Sequence, residues 1–343
     1  MPQPGHRPIR PTGRARRWRR GGTALALGLA LGLAGGLAGC VGTQSALHPA
    51  SDDAAAVARL FWVMAAGAAV IWAVVFGAAV WAALARRPHS SERTADLVIL
   101  GGGVIFPTVT LGALLVYGLA LLPDWGPAAA PDLTVRVHAE QYWWRVTYAG
   151  PGGTTVETAN EVVLPVGATV DLLLTSPDVI HSFWIPPLGG KMDLIPGREN
   201  RLRLRPGATG TYGGICAEFC GDGHAFMAFE ARVVPRPAFD AWLAAQARPA
   251  AAPAGGGAAA FRAAGCAACH RVRGVVEQGA VGPDLTHLAS RSAIAGIADT
   301  TPAALRAWIR DPQALKPDAR MPAYPMLPEA ELAAIVTFLE ALE

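Results

Sequence analysis

Two uncharged apolar stretches, Leu60 to Leu84 and Leu97 to Leu122, constrain this chain more than any other feature in it. As helices rising about 1.5 Å per residue, each can cross a hydrocarbon layer of roughly 30 Å. Core helices of a soluble domain would show a polar face, and these show none. The sequence therefore predicts a transmembrane hairpin. The short connection holds Arg86, Arg87 and Arg93, and this excess of positive charge puts the connection in the cytoplasm and everything after Pro123 outside.

Residues 1–39 read as an export signal: seven arginines from Arg7 to Arg20, an apolar run from Thr23 to Ala38, then Leu37-Ala-Gly-Cys40. That ending resembles the lipobox of bacterial lipoproteins, which implies lipidation of Cys40. An uncleaved anchor with an incidental cysteine is the alternative. Seven of the 29 Lys and Arg precede Cys40, leaving 22 against 26 acidic residues from Cys40 onward. The exported part is mildly acidic, so nucleic acid, which requires a basic face, is not an expected partner.

After the membrane segment (40–123), the chain changes character. From Asp132 to Pro235, runs such as Leu133-Thr-Val-Arg-Val137, Trp143-Trp-Arg-Val-Thr-Tyr148, Thr169 to Leu174 and Arg201 to Arg205 alternate strand formers, with Gly and Pro between them. This pattern predicts an antiparallel sandwich or barrel over 124–248, closed by an amphipathic helix from Pro237 to Ala247. Residues 249–257, all Ala, Pro and Gly, read as a linker reaching roughly 16 Å as a coil. Residues 258–343 carry helix signals at 258–265, 302–310 and 328–342, two of them started by proline, and read as a small helical domain.

Four of the five cysteines lie in two short motifs. Cys216-Ala-Glu-Phe-Cys220-Gly-Asp-Gly-His224-Ala-Phe-Met227 packs thiols, imidazole and thioether together, a set too soft for calcium or magnesium. Zinc, a disulfide or copper would each use the two cysteines. Copper fits best, because zinc rarely takes methionine and a disulfide leaves His224 and Met227 without a role. The second motif, Cys266-Ala-Ala-Cys269-His270, is the C-x-x-C-H arrangement of covalent haem, with the thiols as thioether anchors and His270 on the iron. A zinc site using Cys266, Cys269, His270 and His287 would leave Met321-Pro322 unexplained. Copper followed by haem in one chain points to electron transfer.

His181-Ser-Phe-Trp-Ile-Pro186, Lys191-Met-Asp-Leu-Ile-Pro-Gly-Arg198 and Cys216 to Met227 together resemble subunit II of the haem-copper oxidases, the cytochrome c oxidases. The resemblance implies a cupredoxin-like barrel with a binuclear copper-A centre. Carried over by position, Cys216 and Cys220 bridge the coppers, and His181 and His224 each bind one. Met227 is a weak axial ligand and Glu218 binds through its carbonyl, its carboxylate free for a magnesium ion shared with subunit I. Arg320-Met321-Pro322 and Gly282-Pro-Asp-Leu285 resemble class I cytochromes c, which implies Met321 as the second iron ligand and the Pro283 carbonyl as the acceptor for the ring N–H of His270. Met326 reads instead as packing beside Leu327. Two departures stand out. The family's tryptophan-led aromatic run here reads Gln141-Tyr142-Trp143-Trp144, and Leu100 to Phe106 lacks the glutamate that many relatives place near a proton entrance.

The resulting expectation is a membrane protein of mixed class: a two-helix transmembrane hairpin, a cupredoxin-like antiparallel β barrel and an all-α cytochrome c domain. Electrons would enter through it, passing from covalent haem c to copper A and on to subunit I, where oxygen is reduced and protons are moved. The implied partners are subunits I and III, a cytochrome c or quinol–cytochrome c reductase as donor, and lipid on the outer face of a bacterial inner membrane. A copper-A nitric oxide reductase subunit and a non-enzymatic electron carrier are the alternatives.

Overall fold

The structure is a computed structural model that describes residues 41–85, 91–122, 129–251 and 255–343. The export signal, Cys40, Arg86 and Arg87 lie outside the described residues.

Helix α1 (Asp52–Leu84) starts eight residues before the apolar run, because Ser51 caps it by accepting from the Ala54 N–H and Asp52 and Asp53 sit in its first turn. Helix α2 (Glu92–Ala120) contains a π-helical segment, Val98–Ile105, where three consecutive glycines, Gly101 to Gly103, leave the backbone unsupported by side chains. Both helices are long and apolar enough to cross a membrane, and nothing among the described residues covers their apolar windows.

The next domain is a sandwich of two five-stranded sheets. One sheet contains β1 (Leu133–Glu140), β2 (Trp143–Ala149), β3 (Thr155–Ala159), β5 (Val170–Thr175) and β8 (Asn200–Leu204), in the order β3-β2-β1-β5-β8. The other contains β4 (Glu161–Pro165), β6 (His181–Trp184), β7 (Met192–Leu194), β9 (Gly210–Cys216) and β10 (Ala228–Val234), in the order β4-β10-β9-β6-β7. Pairing is mostly antiparallel, but β1 runs parallel to β5 and β10 parallel to β4. Val135, Val137 and Ala139 of β1 face inward and are fully buried, as the alternation requires. Between the sheets, Phe183 stacks on Phe229 at 4.5 Å, and Trp144 meets both edge-on. The buried phenol of Tyr148 is satisfied twice, donating to the Val163 carbonyl and accepting from the Val163 N–H. Helix α3 (Arg236–Gln246) closes this core with Phe239, Trp242 and Leu243.

A second core follows, built from α4 (Gly257–Ala263), α5 (Pro302–Arg310), the short α6 (Pro312–Leu315) and α7 (Glu329–Glu340), with one two-residue strand pair, Ala293–Ile294 and Ala298–Asp299. Phe261, Leu305, Ile309, Ile335, Phe338 and Leu339 form its centre. Ala250, in the stretch read as a linker, is not free: its N–H donates to the Arg273 carbonyl, and its methyl is buried in this second core.

Candidate functional site

His181 opens β6 and Cys216 ends β9, and the pairing of Phe183 with Cys216 sets these strand ends side by side. Two backbone bonds close the loop over them, Cys216 N–H to the Met227 carbonyl and Ala217 N–H to the Ser182 carbonyl. Within it, Cys216 Sγ lies 3.9 Å from Cys220 Sγ and 3.9 Å from His181 Nδ1, while Cys220 Sγ is 3.6 Å from His224 Nδ1 and 3.9 Å from Met227 Sδ. Cys216 Sγ also sits 3.2 Å from the Glu218 carbonyl oxygen. The six residues singled out in the sequence thus gather around the two sulfurs, each with an atom within 3.9 Å of one of them.

That convergence suits a metal. The sulfurs are too far apart for a disulfide, whose S–S length is about 2.0 Å, yet close enough for both to reach a metal between them at about 2.3 Å. His181, Cys216 and Cys220 are buried and offer ligand atoms within 4.8 Å of one another. The hydrogen bond from Cys220, with further support from His181 and nearby backbone, holds the Cys216 thiol far below its usual range, and the same shared proton pushes Cys220 up. Burial alone would lower His181, but its bonds to Cys216 and Asp178 outweigh that and raise it. Trp144 backs the site, with its indole N–H donating to the Met227 carbonyl.

Sequence reasoning missed Asp178. Its carboxylate accepts from the Gln141 N–H at 2.8 Å and meets His181 Nε2 at 3.0 Å, which leaves Nδ1 toward the sulfurs. The signal was there, since the acid stands three residues ahead of the histidine. The Glu218 carboxylate points outward, 3.5 Å from Lys191 Nζ.

In the second domain, Cys266, Cys269, His270 and Met321 line one largely apolar cavity of about 230 Å³. Gly265, at φ +80°, turns the chain out of α4 so that both cysteines face it. His270 Nδ1 lies 2.9 Å from the Pro283 carbonyl, and burial pulls the imidazole below its usual value. The Pro283 contact takes up Nδ1 and leaves Nε2 as the ring's remaining donor atom. Gly282 is required beside it, because a Cβ there would come within 2.5 Å of the ring. Met326, read from sequence as packing beside Leu327, is instead 89 % exposed: Pro325 and Met326 stand in the turn that leads into α7, outside the core.

Lys316 was also missed. It lines the cavity, is buried, and donates to the Ala295 carbonyl at 2.8 Å. Burial pushes it down to about 7. The cavity wall further includes Gln141, Tyr142 and Trp143 from the sandwich, so the two domains share this boundary.

Comparison with known proteins agrees with this geometry. The family model described as cytochrome c oxidase subunit II, periplasmic domain, matches residues 150–234, and the cytochrome c family model matches 255–343. Cytochrome c oxidase subunit 2 of Alkalihalophilus pseudofirmus is 38 % identical over 213 residues, covering 61 % of each chain. The Branchiostoma floridae protein of the same name is 35 % identical over 156 residues, which is 40 % of this chain and 68 % of that one. The periplasmic domain of subunit II of cytochrome oxidase from Bradyrhizobium japonicum is 32 % identical, covering 35 % of this chain and 96 % of that domain, with a TM-score of 0.33. The chain spans 61 to 64 % of the length of its relatives from Alkalihalophilus pseudofirmus and two Bacillus strains. With a relative more than 30 % identical aligned over two thirds of its own length, and a donor set arranged as that family's motifs require, the chain belongs to the cytochrome c oxidase subunit 2 family, extended by a cytochrome c domain.

Proposed function

We propose that this chain is the subunit through which electrons enter a respiratory cytochrome c oxidase, with domain limits near 124–248 for the sandwich and 258–343 for the haem domain. The observation that carries the reading is the pairing of two donor sets in one chain: the buried His181, Cys216 and Cys220 cluster, and a cavity holding a C-x-x-C-H motif and Met321. His181, Cys216, Cys220, His224, Met227 and the Glu218 carbonyl would hold the copper pair, and Cys266, Cys269, His270 and Met321 the haem. Bound there, copper held by the Cys216 and Cys220 thiolates and haem held at His270 would supply one-electron transfer, and oxygen chemistry would be left to subunit I.

The protein's part is to make that transfer cheap. Asp178 fixes His181, the Pro283 carbonyl fixes His270, and the buried rings of Trp144 and Phe183 keep water from the sulfurs. Held ligands move little when charge changes, which lowers the reorganisation the medium must undergo. The exposed Glu218 carboxylate would share magnesium with subunit I, and Cys40 would carry lipid on the outer membrane face.

The test is to purify the full chain with haem attached and copper supplied. It should give a mixed-valence copper spectrum and one covalent haem, and Cys216→Ser should remove the first without the second. One zinc per chain would refute the assignment. Assembled with subunit I, the complex should reduce oxygen; reduction of nitric oxide alone would move the chain to the reductase class.

A further inference from the structure

The copper loop and the haem domain are joined by more than the connecting segment. Arg320, immediately before Met321, reaches out of the haem domain and donates from one guanidinium nitrogen to Gln141 Oε1 at 3.0 Å and Asp178 Oδ2 at 3.3 Å. Each acceptor leads straight to the copper donors. Gln141 Nε2 donates to the Cys220 carbonyl at 2.6 Å, and Asp178 is the residue that holds His181. Two residues earlier, Asp318, at φ +58°, accepts from the Tyr142 hydroxyl at 2.8 Å. The Tyr142 side chain packs against the copper loop, so close that a Cβ on Gly221 or Gly223 would come within 2.4 Å of it. Only 3 % of Tyr142 remains exposed.

We propose that Arg320 is a positioning residue that locks the loop carrying the haem ligand onto Gln141, Asp178 and Tyr142, so that the haem domain itself occupies the face of the copper site. This deepens the proposed function and rests on it. The contact is specific to Arg320: a guanidinium spans two acceptors, and its neighbour Met321 lines the haem cavity, so the lock sets the separation and facing of the two donor sets. The transfer it serves moves one electron, taking haem iron from ferrous to ferric and reducing the copper pair by one. No bond to Arg320 forms or breaks. Arg145 adds a second hold at the other edge, donating to the Ala280 and Val281 carbonyls, but it touches no candidate ligand.

The experiment uses the full chain with both cofactors, comparing wild type, Arg320→Ala, Arg320→Glu and Arg320→Lys. Two readouts are taken: the rate from flash-reduced haem to copper, and amide exchange over residues 141–143. Because misplacement of about 1 Å can cost up to about a hundredfold in rate, Arg320→Ala should slow transfer by about tenfold or more, with faster exchange at 141–143. Arg320→Glu, which repels Asp178, should be slower still, and Arg320→Lys should fall between. The copper and haem spectra should be retained in all four. A wild-type rate in Arg320→Ala, or a slowed rate accompanied by loss of either spectrum, overturns the proposal. Failure of the wild-type chain to bind copper would instead remove the proposed function, and this inference with it.

Discussion

Lys316 shows how a single buried group shapes the behaviour of the haem domain. Its ammonium is held down to about 7 by burial, against 10.5 for an exposed lysine, so the unfolded chain binds more protons between those two values. Stability therefore rises as pH climbs from about 7 to 10.5, and the penalty is complete below 7. In a haem-free chain, Lys316→Met should stabilise by up to about 5 kcal/mol at and below neutral pH, and the gain should vanish near pH 10.5. Denaturant titrations at several pH values would measure it; a gain independent of pH would mean that packing rather than charge is responsible. At this scale the sequence was legible where chemistry is concentrated in a motif. Cys216 to Met227 and Cys266 to His270 announce themselves by spacing, whereas Lys316, Asp178 and Arg320 matter only through neighbours that are distant in the chain. A lysine in a Lys-Pro-Asp run reads as a solvated loop until folding buries it.

Among the elements, the strands were the easiest to foresee, because half-buried strands alternate and Val135, Val137 and Ala139 do so plainly. Their order was not legible. Alternation says which side chains face the core and nothing about which strand lies alongside, so the parallel pairings of β1 with β5 and β10 with β4 emerge only in three dimensions. The same holds for close approaches. Gly214 in β9 looks like a weak strand residue, yet a Cβ there would sit 2.1 Å from the Phe229 ring. Gly214→Ala should push Phe229 off Phe183 and cost about 1–3 kcal/mol by overpacking, read as a lower midpoint of thermal unfolding of the sandwich. An unchanged midpoint would show that the ring can give way freely. In α2, three glycines in an apolar run gave no hint of the π-helical turn, since hydropathy measures greasiness and not hydrogen-bond register.

For the molecule as a whole, the two soluble cores meet along a polar boundary that includes Arg145, Glu157 and Arg320 on its rim. Composition could suggest a tether; it could not reveal that the haem domain covers Tyr142. Deleting Ala258 to Glu343 should uncover that residue and, by removing a tethered donor whose effective concentration is of millimolar order, lower oxidation of micromolar soluble cytochrome c by about a hundredfold. Oxygen uptake by the reassembled complex is the measure, and an undiminished rate would mean that the haem domain is dispensable. The junction of the sandwich with α1 is built differently. Ala50 exchanges backbone bonds with Pro187 and Gly207, Ser51 donates to the Leu188 carbonyl, and Ala54 and Ala58 are buried within the first two turns of α1. No slack residue separates helix from sheet. The sandwich is thus carried on α1 like a head on a rigid shaft, and a bilayer too thin for that helix, which tilts it, would swing the copper loop through the same angle rather than being absorbed in a flexible neck.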